Sequence, residues 1–267
     1  MENKSKELEV AIEAALEAGK ILEKYFETEI FHEMKDDKSI ITAADKESEE
    51  VIKKIIWQNF PDHSVSGEET GHTKNSGEHT WHIDPIDGTR NFARSLPFFA
   101  VSIALELKGE VMVAVVLNPA SKSLFYAEKG KGAYLNHAPI QVSKYNEKKC
   151  IVTVSSGRDP MHIRLRRNLM RDLPENVVSS VRDFGCTALD LAYVARGGIE
   201  ADIKFGLRTY DICAGMLLVR EAGGKITNLE GGEFKFSDEG NYIASNGLFH
   251  DKLVKEVKRQ KEKLGIK

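Results

Sequence analysis

Apolar residues recur every three or four positions near the start of the chain and again after position 42, which predicts two amphipathic helices. The first covers residues 8–26 and the second residues 42–60. Thr42, with Asp45 at the third helical position, favours a capped start for the second helix. Residues 31–39, between the two helices, are charged and show no period. They are predicted to form either a solvated connection or a loop that closes over a site.

Short apolar runs fill the middle of the chain and predict strands. The strongest are residues 98–107 and 111–117, which a Lys-Gly-Glu turn joins as a hairpin. Further short strands are predicted at residues 64–66, 81–83, 123–127, 132–135 and 140–142. Residues 70–79 are polar and predict a surface loop, in which we expect His72 and His79 to be solvated.

Strands and helices alternate in the second half of the chain, as they do in α/β layered folds. Strands are predicted at residues 150–155, 177–181, 201–205 and 242–245. Helices are predicted at residues 160–171, 187–195 and 211–221, and in the lysine-rich C-terminal segment. No internal repeat or low-complexity linker interrupts the chain, so we expect one domain over residues 1–267.

The composition, with 41% hydrophobic and 30% charged residues, is that of an ordinary soluble globular protein. A net charge of −3 creates no overall field that would attract nucleic acid or an anionic membrane. No apolar run approaches membrane-spanning length and the first residues lack the apolar segment of a signal peptide, so a cytoplasmic location is expected. Cys150, Cys186 and Cys213 are far apart in apolar company, which predicts reduced core thiols.

Residues 81–92, Trp-His-Ile-Asp-Pro-Ile-Asp-Gly-Thr-Arg-Asn-Phe, form the most informative stretch of the chain. A short apolar run predicts a buried strand, and the proline that follows Asp84 cannot continue a ladder, so we expect the strand to stop in a tight polar turn. Asp84 and Asp87 could converge there on hard cations. The backbone N–H groups of Gly88 and Thr89 could hold an oxyanion.

Two other motifs accompany this stretch: Gly-Glu-Glu at residues 67–69, and Tyr-Asp-Ile-Cys-Ala-Gly at residues 210–215 with Glu-Ala-Gly-Gly at residues 221–224. The set resembles the inositol monophosphatase family, which consists of lithium-sensitive, Mg²⁺-dependent phosphatases, and the resemblance extends to about Asn246. It implies a five-layered αβαβα sandwich of the inositol monophosphatase/fructose-1,6-bisphosphatase type. It also implies a homodimer that acts on a small phosphate ester.

The acidic residues of the motifs offer only hard oxygen ligands, which favours Mg²⁺ or Mn²⁺ over zinc. The resemblance implies that Glu68, Asp84 and the Ile86 carbonyl hold one ion, and that Asp84, Asp87 and Asp211 hold a second. Asp84 would therefore bridge the two ions, and a third ion is left open. Such ions lower the pKa of a bound water for attack and neutralise the departing oxygen.

The resemblance also assigns catalytic roles. Thr89 would orient the attacking water together with Glu68, while Asp45 would orient Thr89 or hold water on an additional ion. The N–H groups of Gly88 and Thr89 would receive the phosphate oxygens. The candidate substrate-binding residues of this chain are Asp87, Thr187, Lys204, Arg208 and Asp211, of which Lys204 and Arg208 are proposed from their charge. Since neither an Asp-x-Asp nucleophile nor a Walker-type loop is present, hydrolysis by water is expected.

The chain departs from the family at Lys204, where inositol-hydrolysing members commonly carry a carboxylate. Arginines also crowd the predicted helix nearby: Arg158, Arg164, Arg166, Arg167 and Arg171. They form either a solvated basic face or a site for a second anionic group, which makes fructose 1,6-bisphosphate or a nucleotide bisphosphate alternatives to inositol 1-phosphate. Histidinol phosphate, which is cationic at its other end, fits Lys204 poorly. A regulatory protein that binds a partner or RNA and retains phosphatase activity is a further alternative.

Overall fold

The structure is a computed structural model that describes residues 4–28, 32–34, 40–146, 149–235 and 240–266. Its helices are α1 (Lys6–Tyr25), α2 (Ala43–Asn59), α3 (Thr89–Phe92), α4 (Pro160–Asn176), α5 (Thr187–Ala195), α6 (Thr209–Glu221) and α7 (His250–Leu264). Its strands are β1 (His32–Met34), β2 (Ile40–Thr42), β3 (Ser64–Gly67), β4 (Gly71–Thr73), β5 (His79–Asp87), β6 (Ala100–Leu107), β7 (Glu110–Asn118), β8 (Ser123–Glu128), β9 (Ala133–Leu135), β10 (Ala138–Ile140), β11 (Ile151–Ser156), β12 (Ser180–Arg182), β13 (Ala201–Phe205), β14 (Lys225–Thr227) and β15 (Tyr242–Ser245).

The strands form two main sheets and a two-stranded ribbon of β1 and β2. The larger sheet has the order β10-β9-β8-β7-β6-β5-β3-β4, and only the pair of β3 and β5 is parallel. The smaller sheet has the order β12-β11-β13-β15-β14, in which β11 runs parallel to both of its neighbours. The predicted mixture of hairpins and crossovers is therefore present.

Helices cover both outer faces of the sheets and fill the space between them. Helices α1 and α2 pack on the larger sheet, α5 and α6 lie between the sheets, and α4 and α7 cover the smaller sheet. Three apolar clusters hold these layers together, with buried representatives in Trp81, Leu189 and Leu253. Burying a side chain of this size contributes about 1.5–3 kcal/mol. The arrangement confirms the predicted αβαβα sandwich.

Helix α1 approaches the larger sheet closely because its sequence provides small residues on the buried face. A Cβ atom on Gly19 would lie only 2.7 Å from Leu117 Cδ2 of β7. Several alanines of α1 are also completely buried. The close packing that these small residues predicted is confirmed.

The structure corrects several local predictions. Strand β5 does not stop before the proline but continues to Asp87. The loop predicted at residues 70–79 contains β4, and His79 begins β5 with its ring 4.3 Å from that of His63. His72 is exposed as expected. Residues 32–34 of the predicted connection form β1, while residue 31 and residues 35–39 lie outside the described ranges.

The cysteines Cys150, Cys186 and Cys213 are free and buried, as predicted. In the parts of the chain that the structure describes, no helix is both long enough and apolar enough to cross a membrane.

Candidate active site

An irregularity in β5 places its two aspartates on one side of the larger sheet. Asp84 pairs with Ser102 of β6 and Asp87 pairs with Ala100, so three steps along β5 match two steps along β6. This is the pattern of a β-bulge, which adds one residue to one strand. Because alternate residues of a strand share a face, the extra residue brings both aspartates to the face covered by α5 and α6.

Neighbouring backbone groups orient the two carboxylates. Asp84 Oδ1 accepts a hydrogen bond from the Ile86 N–H at 3.0 Å. Asp87 Oδ2 accepts hydrogen bonds from the Ala188 N–H in the first turn of α5 and, at 3.3 Å, from the Cys186 thiol. The first turn of α5 therefore holds Asp87, a role that the sequence did not reveal for Cys186 or Ala188.

Glu68 lies in the turn that follows β3, and a side chain of α2 holds this turn by hydrogen bonds. The Glu68 N–H donates to the Ile83 carbonyl of β5 at 3.1 Å. The buried carboxylate of Glu49 on α2 accepts from the N–H groups of Glu69 and Thr70, at 2.8 and 3.1 Å. Glu49 is a site residue that sequence reasoning missed, because nothing in its helical pattern distinguishes it from a surface glutamate.

Asp211 lies in the first turn of α6, where a carboxylate interacts favourably with the helix dipole. Its Oδ2 accepts the Arg208 N–H at 2.8 Å, which caps the helix. The predicted metal ligand Asp211 therefore also caps α6. The Arg208 residue itself is exposed beside it.

The motif carboxylates strongly influence one another. Burial, followed by the charges of Glu68, Asp87 and Asp211, raises the pKa of Asp84 well above its usual range. Burial raises the pKa of Asp87 to about 6, although the Ala188 N–H opposes this shift. Burial and the charge of Asp87 also raise the pKa of Asp211. Bound divalent cations would relieve this repulsion.

The donor set fits hard cations because every charged member is a carboxylate. Within the described residues, however, no three acidic, histidine or cysteine side chains already form a complete metal-binding group. Holding a cation would therefore require these carboxylates to approach one another more closely. Buried Asp45 Oδ1, which has no hydrogen-bond partner among the described residues, adds an unused acceptor near Glu68.

The expected hydrogen bond between Asp45 and Thr89 is not formed among the described residues. Asp45 Oδ2 accepts instead from the N–H and the hydroxyl of Thr42, at 2.7 and 2.6 Å, because it lies at the third position of α2. The Thr89 hydroxyl donates to the Ile86 carbonyl at 2.9 Å. Burial raises the pKa of Asp45 to about 7.

The turn between β5 and α3 requires glycine at position 88. Gly88 has a φ of +87°, and a Cβ there would lie 3.1 Å from the Phe98 carbonyl oxygen. Asn91, from the same motif, donates to the carbonyls of Phe98 and Phe184 at 2.7 and 2.8 Å. These bonds join the turn to the segment before α5.

The expectation that Lys204 contacts the substrate is wrong for this structure. Its side chain is 0% exposed and its Nζ donates to Asp190 Oδ2 at 2.5 Å. Asp202 Oδ1 lies 3.2 Å from the same nitrogen. A lysine on this face of β13 therefore turns inward, because two buried carboxylates stabilise its charge.

The remaining predicted residues are divided between the interior and the surface. Thr187 is buried at the start of α5. On α4, Arg166 pairs with Asp183 at 2.7 Å and Arg171 with Asp172. Arg164 and Arg167 are exposed, so part of the predicted basic face is present.

Comparison with known proteins agrees with this geometry. The model of the inositol monophosphatase family matches residues 3–262. The chain is 39% identical to a fructose-1,6-bisphosphatase/inositol-1-monophosphatase of Aquifex aeolicus, over 98% of this chain and 99% of that protein. It is 36% identical to the Nus factor SuhB of Escherichia coli, with 90% and 91% covered. A solved inositol monophosphatase of Thermotoga maritima superimposes with a TM-score of 0.88 at 32% identity, with 98% and 100% covered. The chain therefore belongs to the inositol monophosphatase family.

Proposed function

We propose that this protein is a Mg²⁺-dependent phosphomonoesterase of the inositol-1-monophosphatase type, with Mn²⁺ as a possible substitute. Family membership supports a phosphatase, and the observation that carries the proposal is the cluster of mutually repelling carboxylates around Asp84. Divalent ions bound there would supply a water of lowered pKa and neutralise the leaving oxygen.

The residues around Asp84 would have separate roles in binding the ions, the attacking water and the phosphate. Glu68, Asp84 and the Ile86 carbonyl would hold one ion, and Asp84 would share the second with Asp87 and Asp211. The Thr89 hydroxyl and Glu68 would orient the attacking water. The N–H groups of Gly88 and Thr89 would bind the phosphate oxygens.

Phosphate release from inositol 1-phosphate, measured with Mg²⁺ and with EDTA, tests the proposal. We expect release to require Mg²⁺ and to be abolished by Asp84→Asn, because Asp84 would serve both ions. Asp62→Asn, at an exposed aspartate, is the matched control and should keep full activity. Equal phosphate release in EDTA would overturn the two-ion proposal.

Because Lys204 is buried, Arg208 is the candidate for recognising a second anionic group of the substrate. The Aquifex relative is named for both fructose 1,6-bisphosphate and inositol 1-phosphate, which supports a phosphatase of broad range. The exposed Arg208 could bind a second phosphate by charge-assisted hydrogen bonds. An assay over a panel of phosphate esters, including a nucleotide bisphosphate and histidinol phosphate, would rank the substrates.

A regulatory binding role is the second candidate. One relative is named a Nus factor, and the exposed Arg164 and Arg167 on α4 would suit an acidic partner or RNA. Arg164→Glu with Arg167→Glu should then abolish binding to labelled RNA or to the partner and leave hydrolysis intact. Unchanged binding would remove α4 from consideration.

Family membership also supports a cytoplasmic, single-domain homodimer that Li⁺ inhibits. Light scattering on the purified protein would measure its mass in solution. Hydrolysis that resists high millimolar Li⁺ would count against a family-like second ion site.

A further inference from the structure

A network of fully buried charged groups lies behind the candidate active site. Lys204 of β13 donates to Asp190 of α5 at 2.5 Å and lies 3.2 Å from Asp202. Asp202 also accepts the hydroxyls of Tyr242, at 2.6 Å, and Thr153, at 2.5 Å. Hydroxyls from the two neighbouring strands, β11 and β15, therefore hold Asp202, whereas the Asp190 carboxylate depends on Lys204. Its Oδ1 has no hydrogen-bond partner among the described residues.

The same helix turn that carries Asp190 also holds Asp87. Ala188, two residues before Asp190, donates its N–H to Asp87 Oδ2, and the Cys186 thiol contacts the same oxygen. A continuous chain of polar contacts thus runs from the smaller sheet, through Lys204 and the first turn of α5, to Asp87 on the larger sheet. Buried polar networks of this kind fix the relative position of the elements that they join.

We propose that Lys204 is a positioning residue for the cation site. By holding Asp190, it fixes the first turn of α5 against the smaller sheet, so that the Ala188 N–H keeps Asp87 oriented toward its neighbours. This proposal rests on the proposed function, in which Asp87 is a metal ligand. Partners of metal ligands commonly change metal affinity by roughly 10–100-fold when they are removed.

The sign of the effect separates positioning from simple electrostatics. A lysine near a cation site repels the cation, so loss of its charge alone should tighten cation binding. Loss of its positioning role should weaken binding. A variant that removes Lys204 and Asp190 together leaves the net charge unchanged, because one positive and one negative charge are lost.

The experiment compares the wild type with Lys204→Met/Asp190→Asn. Lys225→Met/Asp251→Asn is the matched control, since it removes an exposed lysine–aspartate pair at 3.1 Å with the same change in charge. Two quantities are measured without substrate: Mn²⁺ affinity by electron paramagnetic resonance, and hydrogen exchange of the Ala188 amide by NMR. Circular dichroism and the melting temperature establish that each variant is folded.

We expect the buried pair of substitutions to weaken Mn²⁺ binding by about tenfold and to accelerate Ala188 exchange by at least as much. The control should match the wild type in both. A folded variant with unchanged exchange at Ala188 would overturn the proposal. Wild-type protein that binds no Mn²⁺ would instead overturn the proposed function, and the exchange rate would still decide whether Lys204 holds this turn.

If Lys204→Met/Asp190→Asn does not fold, Lys204→Arg takes its place in the experiment. This variant should retain slow Ala188 exchange, and fast exchange in the folded variant would overturn the proposal.

Discussion

The hydroxyl of Thr89 should affect turnover directly, because it would help to orient the attacking water. Replacing it in Thr89→Ala should lower kcat by roughly two to four orders of magnitude, the usual scale for losing proton-transfer assistance, with little change in KM. Thr89→Ser retains a hydroxyl and should keep most of the activity. Steady-state assays with saturating Mg²⁺ measure both constants. A normal kcat with a greatly raised KM would show that Thr89 only binds substrate.

The motifs predicted which acidic residues lie near one another, but they did not predict the partners of every side chain. Asp87 and Asp211 lie close enough to raise the pKa of Asp84, and Asp87 raises the pKa of Asp211, as the motifs indicated. The direction of Lys204 was not predictable, because Asp190, which accepts its hydrogen bond, lies on α5 and not on β13. A pattern read along one stretch of chain does not show which distant charge will satisfy a buried lysine.

At the scale of elements, the turn after β3 depends on a support from α2. Glu49→Ala removes the acceptor of two N–H groups in this turn and should lower the free energy of unfolding by about 1–3 kcal/mol. Turnover should also fall, because Glu68 lies in the supported turn. Urea denaturation and phosphate release measure the two effects.

Glu50→Ala provides the control for this variant. Glu50 is exposed on the same helix, so its loss should change stability by less than about 0.5 kcal/mol. Equal effects of the two substitutions would contradict the supporting role of Glu49.

Most helices and strands were predictable because apolar residues recur at a clear spacing within each segment. The ranges of α5, β13 and β15 were predicted to the residue. Strands β4 and β14 were missed because each has only three residues, and too few positions remain to establish an alternation. The end of β5 was misplaced because proline normally ends a ladder, whereas here a bulge accommodates it.

For the whole molecule, the carboxylate cluster should make stability depend on pH and on Mg²⁺. The folded protein holds the protons of Asp84, Asp87 and Asp211 more tightly than the unfolded chain does. The resulting stability is fully present below the unfolded pKa of about 3.9 and is lost as pH rises through the folded values, about 6 for Asp87. Mg²⁺ bound at the cluster would replace these protons.

The increase in melting temperature caused by Mg²⁺ should therefore grow as the pH rises from roughly 5 to 8. Thermal denaturation with and without Mg²⁺ at several pH values measures this increase. In Asp84→Asn the increase should be much smaller at every pH. An increase that does not depend on pH in the wild type would show that Mg²⁺ does not compete with protons at this cluster.

The bulge in β5 makes the active site unusually sensitive to chain length at one point. Whether two residues of a regular strand share a side depends on the parity of their separation, and the bulge lets the odd separation of Asp84 and Asp87 span an even number of pairing positions on β6. Deleting Ile86 would restore regular pairing with both carboxylates still on one side, but it would remove the N–H that donates to Asp84 and the carbonyl that accepts from Thr89. Phosphate release should then disappear even in a folded protein, whereas a one-residue deletion in the exposed turn at 120–122 should be tolerated. Relatives that keep this chemistry are therefore expected to vary in length at their hairpin turns and not between these two aspartates.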